Sequence, residues 1–394
     1  MPKILRVLNR LVIGGPAFNA CYLTKYMPAQ YQTKLVVGAK EGHEIDSPLP
    51  QQLGLNVHTI AEMKRAISPI NDYQAYKKMK ALIQAYKPDI VHTHAAKSGA
   101  IGRLAAAACK VPVIVHTFHG HVFHSYFGKA KTNLFIQAEK YLAKKTNCIV
   151  TISPIQQQEI VEQFKIVSPE KCTVIPLGLD LKPFANDITN NRNKCRTEFK
   201  IDDDTIAIGI IGRLVPIKNH NLFLDIAAAL KKATSKKIKF IIIGNGESRQ
   251  AIENYAQTLN LNFTNMAQNN PTANILFAGW RTDLSYIYAG LDIVLLTSKN
   301  EGTPVSLIEA QSAFKPVLST NVGGVLNIIK NNETGYVINE PTATAFMQPL
   351  LNLINNKTLR NSFGILGHSY VNQNFSYTRL VNNMDVLYKK LLNT

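Results

Sequence analysis

The sequence predicts an α/β protein made of two doubly wound parallel-sheet domains. Three observations carry this expectation. Short apolar runs recur along the chain and are continuously apolar rather than alternating, as strands buried on both faces must be. Segments with helical spacing separate them, so neighbouring strands are joined by crossovers and run parallel. The same pattern restarts after a stretch containing Pro and Gly near residue 180. A chain of 394 residues is long enough for two such cores.

The first half reads in order as follows. Lys3-Ile-Leu-Arg-Val-Leu-Asn is a strand. Gly14-Gly15-Pro16 is a turn, and an apolar helix follows through Phe18, Tyr22, Leu23 and Tyr26. Glycines between strand and helix let backbone approach a ligand closely; a plain tight turn is the equal alternative. Lys34-Leu-Val-Val-Gly and Val57-His-Thr-Ile are further strands, and 72–86 is helical. Asp89-Ile-Val-His-Thr-His is a strand ending in His92 and His94, and an Ala-rich helix follows from Ser98 to Cys109. The next strand, from Val111, runs into Thr117-Phe118-His119-Gly-His. Ligands bind at the carboxyl ends of such strands, and His119 stands at one.

Six histidines, at 92, 94, 116, 119, 121 and 124, raise the question of zinc. Zinc needs three or four converging ligands, and these histidines come with no Cys or carboxylate cluster. No metal site is expected. A basic helix is expected from Gly128 to Asn147, with Leu134, Phe135, Ala138, Tyr141 and Leu142 sharing one apolar face. Lys129, Lys131, Lys140, Lys144 and Lys145 surround that face. They form either a solvated rim or a contact to an anionic membrane.

Thr173-Val-Ile-Pro-Leu-Gly-Leu-Asp leads into Lys182-Pro183-Phe184 and a polar stretch to Arg196, the expected domain boundary. The second half begins with the buried strand Ile206-Ala-Ile-Gly-Ile-Ile-Gly. It ends in Gly212-Arg213-Leu-Val-Pro-Ile-Lys218. An Arg fork and a Lys point charge past a glycine turn can clamp a diphosphate, although either alone is usually a surface residue. Lys239-Phe-Ile-Ile-Ile runs into Gly244-Asn245-Gly246, a phosphate loop or a structural turn. Ile275-Leu-Phe-Ala-Gly-Trp is the following strand.

The central stretch runs from Ser298 to Pro316, SKNEGTPVSLIEAQSAFKP. It follows the buried strand Asp292-Ile-Val-Leu-Leu-Thr. Thr303 is read as a helix N-cap and Pro304 as the first helical residue, ahead of Val305. The helix start offers free N–H groups and the positive end of its dipole, which suit phosphate. Glu301 and Glu309 flank it and suit the hydroxyls next to a phosphate, since an ionised carboxylate accepts their hydrogen bonds. The plain alternative is a solvent-facing Glu pair.

Net charge is +18, from 44 basic and 26 acidic residues. A nucleic acid, an anionic membrane and an anionic substrate each fit such a balance, and so does a merely solvated surface. No aromatic-plus-basic RNA or DNA module is recognisable, so no nucleic-acid partner is expected. No apolar run spans a membrane, and the start is not a signal peptide. The five scattered cysteines, without a CxxC, read as reduced packing residues of a cytosolic protein.

The E-x7-E spacing of Glu301 and Glu309 within NEGTPVSLIEA resembles the signature of glycosyltransferase family 4, retaining nucleotide-sugar transferases of GT-B fold. G-R-L-V-P-x-K-N at 212–219, the Gly244–Gly246 loop and the V-I-P-x-G-x-D linker resemble the family as well. The resemblance is strongest from about Thr173 to Gly324. It implies two Rossmann-like domains facing a cleft: residues 1–184 for the acceptor and 185–372 for the nucleotide sugar. Residues 373–394 would form a helix crossing back onto the first domain.

It also implies roles. Arg213 and Lys218 hold the donor diphosphate, Glu301 and His119 the donor sugar, and Glu309 the ribose. Gly14, Gly15, Gly244, Gly246, Gly302, Thr303, Pro304 and Val305 line the donor site. The family usually has Gly where this chain has Phe314, Asp where it has Asn245, and often a basic residue or His where it has Phe18-Asn19. The implied reaction moves a hexose or N-acetylhexosamine, most simply from a UDP-sugar, to a hydroxyl on a lipid-linked or cell-surface glycan precursor. Anomeric configuration is retained and no metal is required. The implied location is the cytoplasm, peripherally at the inner membrane face. The alternatives are a sugar-nucleotide epimerase on the same architecture and a basic nucleic-acid-binding protein.

Overall fold

The computed structural model describes residues 1–12, 14–40, 42, 44, 46–120 and 129–393. Two units emerge from it, Met1–Leu179 with Phe375–Thr394, and Asp180–Asn374. The divisions expected from sequence were 184/185 and 372/373; the structure divides after Leu179 and after Asn374.

The first unit holds a seven-stranded parallel sheet. Its strands are β1 (Lys3–Leu8), β2 (Gln32–Gly38), β3 (Val57–Ile60), β4 (Ile90–His94), β5 (Val113–Phe118), β6 (Cys148–Thr151) and β7 (Cys172–Val174). The order is β3-β2-β1-β4-β5-β6-β7. Successive side chains of β1 serve opposite faces. Ile4 packs with Leu23 and Leu380, while Leu5 and Val7 pack with Ala75, Met79 and Ile101. Helices therefore cover both faces, which is why the strands are uninterrupted apolar runs.

The terminal helix Tyr377–Leu392 belongs to this unit, as the resemblance implies. Ser376 caps it, accepting from Arg379 N–H at 3.4 Å. Its Leu380, Val381, Met384 and Tyr388 are buried against β1 and β4 residues. Each such side chain contributes roughly 2 kcal/mol by leaving water. Leu179 and Ser376 pair through their backbones, so the chain leaves and re-enters the unit at one point.

The second unit holds β8 (Ile206–Ile211), β9 (Ile238–Ile243), β10 (Phe263–Asn265), β11 (Ile275–Gly279), β12 (Ile293–Leu296), β13 (Val317–Thr320) and β14 (Gly335–Ile338). This sheet is also parallel, in the order β10-β11-β9-β8-β12-β13-β14. Its core joins Ile208, Ile210, Phe240, Ile242 and Leu295 to Leu222, Phe223 and Ile226 of the helix His220–Ala233.

Three local expectations are corrected. The polar stretch before Arg196 is not a bare linker but the helix Ile188–Glu198. Arg196 is buried there, donating to Gly290 O, Thr205 O and the Asp292 carboxylate. Its polar sequence hid a helix whose inner face is held by charge. The helix Lys129–Ala143 buries only part of the expected face, through Phe135 and Leu142; Gly128 and the side chains of Lys129 and Lys131 lie outside the described residues. Leu134 and Tyr141 are 69% and 55% exposed, while Phe135, Ile136 and Ala143 pack inward. Glu139, on the inward side, accepts from the Arg103 guanidinium at 2.7 Å in a buried ion pair. That pair sets the rotation of the helix about its axis. The third correction concerns the cap at Thr303 and is described with the site.

Phe314 takes a left-handed conformation, φ +59°, which accounts for the glycine usual at this position. Its ring stacks on His368 with centroids 3.9 Å apart, which offsets part of the backbone cost.

Candidate active site

In each unit the strand order reverses at one place, between β1 and β4 and between β8 and β12. Crevices at the carboxyl ends of such strands are where open α/β sheets bind ligands. Most of the candidate residues stand at those two places.

In the second unit, β8 ends at Ile211 and runs into Gly212-Arg213, and β12 ends at Leu296 and runs into the loop of Glu301. Thr297 Oγ donates to Lys218 O and Asn219 O, at 3.1 and 3.0 Å, tying the two loops together. Thr320, at the end of β13, donates to Ser298 O at 2.7 Å. Lys218 Nζ then donates to Glu301 Oε1 at 2.6 Å, and Ser298 Oγ donates to the same oxygen at 2.6 Å. Arg213 is exposed and has no ion-pair or hydrogen-bond partner among the described residues. A cation without a counter-charge, next to a loop carrying backbone N–H groups, is equipped to meet an anion.

The helix after that loop begins one residue later than expected. It spans Val305–Ser312, and Pro304 is its N-cap, with Leu307 N–H bonding to Pro304 O at 3.1 Å. Thr303 makes no capping bond. Proline fits this place because it donates nothing, while its carbonyl accepts the first helical bond. The helix start itself stays where the sequence puts it, after Gly302.

Glu309 lies inside this helix. The residue is half-buried, yet its carboxyl group is enclosed, and Tyr288 OH donates to it at 3.1 Å. Burial pushes the carboxyl up to about 7, with the Tyr288 bond pulling the other way. Near neutral pH this group is poised between acid and carboxylate.

The glycines divide into two kinds. Gly244 has φ +141°, and a Cβ there would lie 1.9 Å from Gly212 O; at Gly246 it would lie 2.4 Å from Leu214 O. These two glycines let the β9 loop lie against the β8 loop, so their packing alone explains them. In the first unit, by contrast, a Cβ on Gly15 would meet nothing closer than Leu177 Cδ2 at 3.6 Å. Gly14 caps the helix Gly15–Tyr26 with φ +154°, and a Cβ there would meet nothing closer than Pro16 Cδ at 3.9 Å.

The first unit also carries the histidines. His92, His94 and His116 are fully buried, and His119 is half-buried just past β5. His92 is held at both nitrogens, by Tyr388 OH at 2.6 Å and Thr117 Oγ at 2.7 Å. His94 Nδ1 bonds to His119 Nε2 at 2.9 Å. Burial holds His119 down at about 3, and burial with the neighbouring rings and Arg6 holds His94 and His92 well below the usual range. All three rings are neutral at physiological pH. Among the described residues no group of three His, Cys, Asp or Glu could hold a metal ion; His121 and His124 lie outside them.

Sequence reading missed the partners. Nothing near Tyr288 marks it as the ligand of Glu309, and Lys218 and Glu301, 83 residues apart, carry no sign that they form one pair. His220 was also passed over: it is buried, burial and then Lys218 hold it at about 4, and neither ring nitrogen has a partner among the described residues.

Comparison with known proteins agrees with this fold. The family model described as "Glycosyltransferase Family 4" matches residues 13–183, and "Glycosyl transferases group 1" matches 191–367. The UDP-Gal:alpha-D-GlcNAc-diphosphoundecaprenol alpha-1,3-galactosyltransferase of Escherichia coli is 31% identical over 75% of this chain and 74% of its own. The capsular polysaccharide biosynthesis glycosyltransferase CapM of Staphylococcus aureus is 25% identical over 84% and 85%. Among solved structures, HepE of Anabaena in complex with UDP superposes with a TM-score of 0.78 at 17% identity, over 98% of this chain and 100% of that one. Fold and comparisons together define a glycosyltransferase of GT-B fold. The chain belongs to glycosyltransferase family 4.

Proposed function

We propose that this enzyme transfers a hexose or N-acetylhexosamine, with retention of configuration, from a UDP-sugar to a lipid-linked or cell-surface glycan precursor. The observation that carries the proposal is the carboxyl end of β8 and β12. There an unpartnered Arg213, the Lys218–Glu301 pair and a helix N-terminus occur together at a topological switch point. The Escherichia coli relative, named for UDP-Gal and a diphosphoundecaprenol acceptor, supports the donor and acceptor class. HepE, solved with UDP, supports the nucleotide.

In this reading Arg213, Lys218 and the N–H groups from Gly302 to Val305 stabilise the departing diphosphate, whose charge grows as the glycosidic bond breaks. Glu301 and His119 orient the sugar, and Glu309 accepts from ribose hydroxyls. The diphosphate oxygen takes the acceptor proton, so attack and departure share one face of the sugar. Gly14 and Gly15 admit the donor closely, which fits the absence of any atom nearer than 3.6 Å to a Cβ at either position among the described residues. Gly244 and Gly246 shape the loop behind Arg213. The two cations take the place of a metal ion.

The enzyme works in the cytoplasm, peripherally at the membrane that carries its acceptor. Among the described residues no helix is long and apolar enough to cross that membrane. Hydrolysis of a panel of UDP-, GDP- and ADP-sugars without acceptor, in EDTA, tests the donor and the metal independence. Proton NMR of the first-formed sugar tests retention. Hydrolysis of GDP- or ADP-sugars alone, a requirement for a divalent ion, or an inverted product would each overturn its part. Release of an epimerised nucleotide sugar would restore the epimerase alternative.

A further inference from the structure

Three buried rings and the half-buried His119 run through the first unit from its terminal helix to the end of β5. Tyr388 OH holds His92 Nδ1 at 2.6 Å, the His92 ring stacks on His94 with centroids 4.3 Å apart, and His94 bonds to His119. His94 and His119 also stack, with centroids 5.2 Å apart and planes 26° apart. Among these four rings two nitrogens are buried without a partner among the described residues, His94 Nε2 and His119 Nδ1. A buried ring nitrogen without a partner costs free energy and calls for an explanation.

The backbone at this place is strained as well. Ala95 follows His94 with φ +67°, a region that alanine rarely adopts. Ser98 Oγ donates to His94 O and fixes the turn from the next helix, Ala96–Ala108. His94 is thus held from three sides: by the His92 ring, by Ser98 and by β4 itself.

We propose that His94 is the positioning residue of His119: by occupying Nε2 it leaves Nδ1 as the one ring nitrogen that His119 can offer to a sugar hydroxyl. This rests on the reading of His119 as a donor-sugar residue. In a neutral pair one nitrogen donates and the other accepts. If His119 Nε2–H donates, Nδ1 is an acceptor; if His94 Nδ1–H donates, Nδ1 carries the proton. Either way the bond holds the ring in one orientation and leaves Nδ1 as the nitrogen on offer, and a hydroxyl can serve as the partner of either form.

The test compares His94→Asn with His94→Gln. The amide of Asn lies near the place of Nδ1 and can hold His119 Nε2; the amide of Gln lies near the place of Nε2 and cannot. Nitrogen NMR of protein labelled in its histidine rings, with the His119 signals identified by their loss in His119→Gln, reads the tautomer directly. From pH 6 to 8 the His119 nitrogen signals are expected to agree between the wild type and His94→Asn, and to shift in His94→Gln, where Nε2 has lost its bond. With the donor chosen by the hydrolysis panel, His94→Gln should lower kcat about 10-fold with little change in KM, and His94→Asn should restore most of it. Equal tautomer spectra and equal kcat for the two variants would overturn the proposal. His119→Gln separates the two ideas. If it slows turnover while the His94 variants do not differ, the positioning role alone falls; if it leaves turnover unchanged, the sugar-binding role of His119 falls and takes the positioning role with it.

Discussion

Lys218 Nζ donates to Glu301 Oε1 at 2.6 Å, and Ser298 shares that oxygen, so the residues assigned to diphosphate and to sugar form a single ion pair. The other carboxylate oxygen, Oε2, has no partner among the described residues. Glu301 is thereby oriented with one oxygen held and one available. Under the proposed roles, a substrate diphosphate arriving at Lys218 would compete with Glu301 for the same ammonium and so couple the two ends of the donor's reacting bond.

Replacing Lys218 by Met therefore removes both a phosphate contact and the counter-charge that fixes Glu301. In Lys218→Met kcat is expected to fall about 100-fold, the scale for loss of one charge-stabilising group, with a smaller rise in donor KM. Steady-state hydrolysis of the preferred nucleotide sugar checks this. A change confined to KM would assign Lys218 to ground-state binding alone.

Glu309 gives a pH-dependent prediction. Its carboxyl is raised from 4.5 to about 7 in the folded protein. Below 4.5 it is protonated whether folded or not, and it costs nothing. Between the two values the unfolded chain ionises first, so stability falls as pH rises, and above 7 the full cost persists. Glu309→Gln keeps a partner for Tyr288 and removes that cost. Urea unfolding should show the variant more stable at pH 8, by at most about 3 kcal/mol, and no more stable than the wild type at pH 4. The same variant should bind UDP more weakly by about 1–2 kcal/mol, the worth of a charged hydrogen bond. Calorimetry showing equal UDP affinity would remove Glu309 from the ribose.

Gly323 tests the loop that carries Glu301. It has φ +51°, and a Cβ there would lie 1.7 Å from Glu301 O. Gly323→Ala should push that backbone away and cost about 1–2 kcal/mol of stability. Turnover should fall more than UDP affinity, because Glu309 sits on a separate helical turn. Wild-type kcat in this variant would show that the loop tolerates displacement.

The fold was legible because parallel strands announce themselves as apolar runs and glycine turns end them. Charge disguised two elements. The helix Ile188–Glu198 is polar in sequence, yet Arg196 anchors its inner face on Asp292. The helix Lys129–Ala143 turns Leu134 outward because Glu139 must reach Arg103. In the site, residue types and order were legible, but pairings were not. Lys218 with Glu301, Tyr288 with Glu309 and His94 with His119 are products of strand order, and strand order in a doubly wound sheet is not local information.

The last prediction follows from that outward turn. Leu134 and Tyr141 stand exposed on the helix Lys129–Ala143, Lys145 lies 4.9 Å from the Tyr141 ring centroid, and Lys144 is exposed. Apolar and aromatic side chains among lysines suit the interface of an anionic bilayer, where each nearby Lys contributes about 1 kcal/mol. Lys77, Lys78 and Lys80 on the helix Pro69–Tyr86 suit this role less, since Lys78 is paired with Glu62 at 2.5 Å and Lys77 lies over Tyr73. The protein should co-sediment with vesicles containing phosphatidylglycerol and not with neutral ones, and salt should release it as screening grows. Replacing Lys140, Lys144 and Lys145 by Glu should weaken vesicle binding at least 10-fold and leave UDP affinity unchanged, because these residues lie in the first unit and the nucleotide residues in the second. Replacing Leu134 and Tyr141 by Ser should weaken what remains at high salt. Equal sedimentation with neutral and anionic vesicles, or none with either, would mean that this face is a solvated rim and that the acceptor is reached without it.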